Sequence, residues 1–214
     1  MTISSIARRL NFASSAPSLL PAVILVTDEA RLADPLSVIE TLPRGTGVLL
    51  RHYGVPHRAE LARKTAALCR RQNLALLLAG DPELAFAVNA DGLHLPEFLV
   101  QNPPPKALTW RHRRGKILTA AAHNPGALFR AADIGAEAAL LSPVNLTKSH
   151  PERTAIGILR FASWARAVPI PVYAMGGLSE KNARRLSNTG AIGIAGVGDV
   201  AAEFNQHNSM VKTS

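Results

Sequence analysis

The sequence predicts one α/β domain: a closed barrel of eight parallel β-strands alternating with helices, the (β/α)8 fold, with an N-terminal helical extension. Three observations support this prediction. Eight short apolar segments occur along the chain, amphipathic segments of helix length separate them, and the last two apolar segments end in glycine. Parallel strands need right-handed crossovers, and eight strands within a chain of 214 residues favour a closed barrel over an open sheet.

The elements follow one another in regular order. Strands are predicted at 23–28, 47–51, 74–78, 90–95, 116–123, 138–143, 171–176 and 191–197. The clearest helices between them are predicted at 57–72, 125–134 and 180–189. Three prolines at 103–105 interrupt the fourth crossover, and the sixth crossover is the longest. We interpret the segment 147–151 of that sixth crossover as a candidate active-site loop.

Domain boundaries follow from this order of elements. The extension covers 1–21, the barrel covers 22–205, and a polar tail at 206–214 is expected to be flexible. The extension is rich in Ser and Ala and contains no acidic residue, which is also typical of a targeting peptide. It lacks a sustained apolar core, so a helix at 6–12 that caps the bottom of the barrel is the alternative we carry forward.

The composition of the chain indicates the cellular compartment in which the protein is expected. The chain is 47% hydrophobic, and its single cysteine, Cys69, excludes an internal disulfide and a Cys-rich metal site. Cys69 lies in a predicted helix, where a structural role is expected. We therefore predict a cytoplasmic protein. No apolar run approaches the roughly eighteen residues of a transmembrane helix, so no membrane association is expected.

A formal net charge of +9 raises the question of a nucleic-acid partner. The positive charge is scattered along the chain, and its densest cluster, Arg111–Lys116, follows the prolines of the fourth crossover. No aromatic residues alternate with this cluster, as they would in a base-stacking surface. We predict a solvated loop and no nucleic-acid partner.

Function is expected where strands end, because the loops after the strands of a barrel converge on one face. Arg51 follows the second strand and suits an anion through its planar guanidinium, although a rim salt bridge to Asp28 is the alternative. His123 ends a strand of small residues that leaves space for a substrate, and its imidazole can accept and donate a proton. The alternative is that His123 caps the following helix. His94 is predicted to be an internal, hydrogen-bonded residue.

The remaining candidates suit a phosphate group. Barrels of this kind often bind phosphate in the loops after their last two strands, where glycine lets backbone N–H groups approach closely. A hydroxyl and an ammonium at Thr147 and Lys148 would add donors, unless they lie in an ordinary exposed loop. The residues predicted to bind the substrate or its phosphate are Arg51, Ser142, Thr147, Lys148, Gly176, Gly177, Val197 and Gly198.

These landmarks, taken in order, resemble one known family, the thiamin-phosphate synthases and TenI. The segments that carry the resemblance are 26–28, 49–51, 90–95, 122–123, 142–148, 169–177 and 190–195. The resemblance covers about residues 22 to 200 and implies a TIM barrel. It also implies phosphorylated thiazole and pyrimidine precursors of thiamin as ligands.

The synthase branch joins hydroxymethylpyrimidine diphosphate to thiazole phosphate, with Mg²⁺ holding the diphosphate. Its pattern Gln-x-Arg-x-Lys is reduced here to Arg51, and Tyr53 stands in place of the lysine. After the third strand the synthase pattern has Asn-Asp, where this chain has Ala79-Gly80. After the fourth strand the pattern has Gly-Gln-x-Asp, where this chain has Pro-Glu-Phe-Leu at 96–99. Both Mg²⁺ carboxylates are therefore missing, unless Asp81 or Glu97 replaces them from a shifted position. The synthase serine of the fifth strand is Ala121.

The thiazole-phosphate half of the site is retained, although the usual serine of the last loop is Gly198. This selective retention resembles TenI, a thiazole tautomerase whose acid–base histidine matches His123. Our leading hypothesis is thus a metal-independent isomerase in which Arg51 or Lys148 binds the thiazole carboxylate. A divergent, Mg²⁺-dependent synthase and a noncatalytic phosphate-ligand binder are the alternatives. A homo-oligomer is left open.

Overall fold

The computed structural model describes residues 2–14, 17–147, 154–198 and 200–204. Its eight strands are β1 (Val23–Val26), β2 (Gly47–Leu50), β3 (Ala75–Ala79), β4 (Gly92–Leu95), β5 (Ile117–Ala122), β6 (Ala138–Leu141), β7 (Val172–Met175) and β8 (Ala191–Gly196). Its α-helices are α1 (Ile3–Ala13), α2 (Pro35–Ile39), α3 (Arg58–Gln72), α4 (Pro82–Ala87), α5 (Glu97–Gln101), α6 (Pro105–Trp110), α7 (Pro125–Asp133) and α8 (Ile158–Ala167). Residues 200–204 are also helical.

The strands form a closed parallel barrel in chain order, with β8 pairing back onto β1. Register aligns Ile24 with Gly47 across the first pair and Val23 with Ile194 across the closing pair. The predicted (β/α)8 TIM barrel is therefore confirmed, and each strand lies within its predicted segment or within one residue of it. Parallel strands buried on both faces give continuous apolar runs, which is why their positions were readable from the sequence.

One predicted helix is shorter than expected. The segment 180–189 forms only a single 3₁₀ turn, Ala183–Leu186. Asn188 and Gly190 follow with positive φ angles of 61° and 88°, a left-handed conformation that cannot continue a helix. The connection to β8 is therefore mostly irregular.

The interior of the barrel is packed at the bottom and narrows to small side chains at the top. Tyr173 is fully buried, and its hydroxyl donates to the carbonyl of Pro21 at 2.7 Å. Gly193 permits this, because a Cβ there would lie 2.7 Å from the Tyr173 ring. Toward the C-terminal ends of the strands, the same interior face carries Ala79 and Ala121, which leave room above the core.

Helix α1 covers the N-terminal end of β8. Ile3, Ile6 and Leu10 are buried on one side of this helix, and the Asn11 side-chain amide donates to the carbonyl of Ile192 at 3.3 Å. The helix predicted at 6–12 is thus confirmed and extends further in both directions. The predicted tail at 206–214 lies outside the described residues.

The basic segment after α6 is exposed, as predicted, but several of its side chains make defined contacts. The Arg113 guanidinium lies 4.9 Å from the ring centre of Phe86 and 5.5 Å from that of Trp110. The Lys116 ammonium donates to the carbonyl of Ala90 at 2.6 Å. The segment therefore fastens α6 to the barrel as well as carrying charge.

In the part of the chain that the structure describes, no helix combines the length and apolar character needed to cross a bilayer.

Candidate active site

His123 lies directly after β5, at the C-terminal end of the barrel. Its Nδ1 is 2.7 Å from the backbone carbonyl oxygen of Ser142 and 3.2 Å from the Ser142 hydroxyl. A carbonyl only accepts, so the neutral ring carries its proton on Nδ1, and Nε2 holds the lone pair. The alternative role for His123, capping the next helix, is wrong, because the Asn124 carboxamide oxygen accepts from the Ala127 N–H at 2.9 Å and caps α7 itself. The side chain of His123 is 32% exposed, which leaves it accessible from the barrel mouth.

Glu97 faces His123 from the start of α5. Its Oε2 lies 3.8 Å from His123 Nε2, and its Oε1 lies 3.4 Å from a guanidinium nitrogen of Arg130. The Asn124 amide also reaches Oε1, at 3.5 Å. From the sequence, Glu97 was a candidate only by its position at a strand end and as a replacement metal ligand, not as a partner of His123. Its position two residues after β4, at the same rim as His123, was the available signal.

Gly176 and Gly177 end β7 with φ angles of 96° and 60°, which side chains rarely adopt. The Gly177 carbonyl is held in place by the amides of Asn145, at 3.2 Å, and Asn182, at 2.7 Å. The turn is therefore fixed in a left-handed conformation, and glycine there lets a ligand approach the backbone closely.

The loop after β6 lies against these glycines. A Cβ at Gly176 would lie 2.9 Å from Pro143 and 3.4 Å from the Thr147 methyl group. Thr147 and Ser142 are thus on the same side of the mouth as the glycine turn. Lys148, the other predicted member, lies outside the described residues.

The loop after β8 supplies the last two predicted phosphate residues. Val197 is buried, so only its backbone can face a ligand, and its carbonyl already accepts from the Ala201 N–H at 3.1 Å. Gly198 lies in open space, since a Cβ there would meet nothing within 4 Å. Glycine at 198 is therefore not required by packing.

Arg51 follows β2 and lies at the opposite side of the mouth. Its guanidinium is 3.8 Å from Asp28 and 29% exposed, so the predicted rim salt bridge forms while part of the side chain remains accessible. Burial raises the pKa of the Asp28 carboxyl, but the hydrogen bond and charge of Arg31 and the charge of Arg51 outweigh it and leave that pKa below its ordinary value. The Arg51 N–H donates to the Thr27 hydroxyl at 3.0 Å, which fixes the backbone.

His94 lies on the interior face of β4, as predicted. It is 4% exposed, and its Nδ1 pairs with the Thr119 hydroxyl at 2.9 Å. Burial, with a smaller contribution from the charge of Arg51, lowers the pKa of His94 to about 3. The imidazole of His94 is therefore neutral near pH 7 and lies buried in the barrel interior.

The residues at the positions of the family's Mg²⁺ ligands do not fit that ion. The Tyr53 ring covers Gly80, where an added Cβ would lie 2.9 Å from the ring. Asp81 caps α4 through the Leu84 N–H and pairs with Arg58 at 3.2 Å, so its oxygens are committed. Within the described segments, no cluster of three or more His, Cys, Asp or Glu side chains could hold a metal ion. Glu97 is likewise paired with an arginine, Arg130.

Comparison with known proteins gives one consistent result. The family described as "Thiamine monophosphate synthase" matches residues 23–200. The thiamine-phosphate synthase of Chloroflexus aurantiacus is 32% identical over 71% of this chain and 69% of its own length. A relative from Aquifex aeolicus, provisionally named as a second thiamine-phosphate synthase, is 33% identical over 83% of this chain and 96% of its own. The structure of a thiamine phosphate pyrophosphorylase from Pyrococcus furiosus is similar with a TM-score of 0.71, at 24% identity and with 92% and 97% of the two chains covered.

Proposed function

The chain belongs to the thiamine monophosphate synthase family, and we propose that it binds a thiazole phosphate in thiamin biosynthesis and acts on it as a metal-independent tautomerase. The reaction moves one proton within the thiazole substrate, and no second substrate is joined to it. His123 is the proposed acid–base group.

The geometry of His123 supports this role. The Ser142 carbonyl fixes the proton of the neutral ring on Nδ1, so Nε2 is the atom that accepts a proton from the substrate. The ring is partly exposed at the end of β5, whose last three residues are alanines. A tautomerase needs only such a group, because the proton it removes is returned to the same molecule.

The glycine turn is the proposed binding site for the phosphate group of the substrate. Gly176 and Gly177 form a left-handed turn at the end of β7, and the loop that carries Ser142 and Thr147 packs against it. We assign the phosphate to this turn, with the backbone of Val197 and Gly198 at its other side. Arg51, or Lys148, is the proposed partner of the substrate carboxylate.

The observation that carries the choice of reaction is the contact between Tyr53 and Gly80. By the sequence resemblance, Tyr53 and Gly80 stand at the positions of a lysine and an aspartate in the synthase pattern, and a diphosphate needs such cationic compensation. Asp81 is engaged by Arg58, and Glu97 by Arg130. The residues here therefore favour a reaction without metal and without diphosphate.

Thiamin-phosphate synthase is the second candidate, and the names of the relatives favour it over the tautomerase. In this reading Arg51, the one retained member of the second-strand pattern, contacts the diphosphate of the pyrimidine substrate. The enzyme is then a transferase, and it requires a diphosphate site formed differently from that of the family.

Two measurements test the proposal. The first is calorimetry with thiazole carboxylate phosphate and with hydroxymethylpyrimidine diphosphate, each with and without Mg²⁺. Binding of the thiazole alone, independent of metal, is expected. Mg²⁺-dependent binding of the diphosphate, followed by formation of thiamin phosphate, selects the synthase.

The second measurement is isomerisation of the thiazole tautomer by wild type, His123→Ala and the control His112→Ala. His112 is an exposed histidine in the basic segment at the other end of the barrel. We expect His123→Ala to lose ~10²-fold or more in kcat, the usual size of a general acid–base contribution, and His112→Ala to match wild type. Absence of acceleration by wild type overturns the tautomerase. If the thiazole phosphate still binds and no thiamin phosphate is formed from the two synthase substrates either, a noncatalytic binder remains.

A further inference from the structure

Residues of a neighbouring helix, α7, and of its N-cap hold Glu97 in a defined orientation. Glu97 opens α5, while Arg130 and Asn124, which contact its Oε1, belong to α7 and its cap. Those contacts turn the second oxygen, Oε2, toward His123 Nε2 at 3.8 Å. The carboxylate is only 22% exposed, so it is screened less by water than a surface carboxylate would be.

Each ring nitrogen of His123 therefore faces a protein oxygen. The Ser142 carbonyl accepts from Nδ1–H, and the Glu97 carboxylate faces Nε2. When Nε2 takes up a proton, the ring becomes an imidazolium, and a carboxylate at this distance stabilises that charge. The separation of 3.8 Å is longer than a hydrogen bond, so the carboxylate acts on the ring through its charge.

We infer that Glu97 is a positioning residue for His123: it orients the ring and stabilises the imidazolium formed during proton transfer. This inference rests on the proposed function. In the step, a C–H bond of the thiazole substrate breaks, its electron pair remains in the conjugated ring system, and the proton bonds to Nε2. The N–H bond then breaks as the proton returns to another carbon, so His123 ends neutral and Glu97 is unchanged.

The kinetic test compares wild type, Glu97→Gln, Glu97→Asp and Glu83→Gln. Glu83 is a matched control, because it is a carboxylate near the start of another short helix and pairs with Lys106 on the surface. We expect Glu97→Gln to lower kcat ~10-fold or more while the dissociation constant of the thiazole phosphate stays within about twofold. Glu97→Asp should recover part of the loss. A Glu97→Gln enzyme with wild-type kcat overturns the inference.

A second measurement needs no turnover. The ring nitrogens of His123 are followed by ¹⁵N NMR at one fixed pH and assigned with His123→Gln. A change of the Nε2 resonance in Glu97→Gln, absent in Glu83→Gln, is expected, and an unchanged resonance overturns the inference. If wild type shows no isomerisation, the proposed function fails, but this spectrum still decides whether Glu97 acts on His123.

Discussion

The Tyr53 ring lies directly over Gly80, so that a Cβ at Gly80 would approach Tyr53 Cε1 to 2.9 Å. Gly80 has φ of 70° and follows β3, and Tyr53 comes from the loop after β2. By the resemblance of the sequence, these positions match an aspartate and a lysine of the synthase pattern. The two departures from that pattern therefore pack against each other.

This packing predicts a coupled effect on stability. Gly80→Ala should lower the free energy of unfolding by ~2 kcal/mol, because it adds the cost of a left-handed φ to the ring contact. Adding Tyr53→Ala should recover roughly half of that loss, since the ring contact disappears and the backbone cost remains. Urea denaturation of the four proteins of this double-mutant cycle measures the coupling. Additive effects would contradict the contact.

The glycine turn predicts a contrast between two glycines. A Cβ at Gly177 would overlap the Leu146 carbonyl, and φ there is 60°, whereas a Cβ at Gly198 meets nothing. Gly177→Ala should therefore cost ~2 kcal/mol or more and weaken phosphate-ligand affinity about tenfold, because the turn must move. Gly198→Ala should change the free energy of unfolding by less than ~0.5 kcal/mol. Urea denaturation and calorimetry measure both, and equal effects at the two glycines would show that the turn is not packed in this way.

The sequence was sufficient for the barrel but not for the contacts around His123. Strand positions follow from local apolar runs, and His123, Ser142 and the glycines follow from where those runs end. Glu97 acquires its role from Arg130, which is distant in sequence and reaches it only because α5 packs against α7. Such pairs depend on helix packing, which periodicity does not encode.

The same limit applies to the covering of Gly80. The motif comparison revealed that Gly80 and Tyr53 depart from the synthase pattern, but not that the two side-chain positions meet. The contact forms because the Tyr53 side chain extends from the loop after β2 to the end of β3. Its side-chain torsion angles set this direction. The neighbouring Arg58 also favours it, because its guanidinium lies 5.4 Å from the ring centre. The sequence showed two separate departures from the synthase pattern. The structure shows that the two residues, Tyr53 and Gly80, pack against each other.

The basic segment predicts a structural effect of Arg113. Its guanidinium lies over Phe86 and Trp110, and such contacts contribute ~0.5–1 kcal/mol where partly exposed. Arg113→Ala should therefore lower the free energy of unfolding by about 1 kcal/mol. Arg114→Ala, at an exposed neighbour, should be neutral and serves as the control. Thermal unfolding followed by circular dichroism distinguishes them, and an unchanged midpoint for Arg113→Ala would contradict the assignment.

His94 predicts the dependence of stability on pH. Its pKa is about 3 in the folded protein because burial, with the nearby charge of Arg51, disfavours the charged ring, whereas an unfolded histidine has a pKa near ~6.5. The unfolded chain therefore binds more protons between these values, and stability falls as pH is lowered through that window. The contribution of this one residue reaches ~1.4 kcal/mol per pH unit below ~6.5.

Replacing His94 by glutamine isolates that contribution. Glutamine cannot be charged but can still hydrogen-bond to the Thr119 hydroxyl that His94 contacts at 2.9 Å. His94→Gln is expected to be less stable than wild type at pH 7 and to lose less stability between pH 6.5 and pH 4.5, so that the two free energies of unfolding converge. Urea denaturation at three pH values in this range gives both slopes. Equal slopes would mean that His94 is already protonated in the folded barrel or reachable by water, and the interior above Ile117 would then be wet rather than apolar.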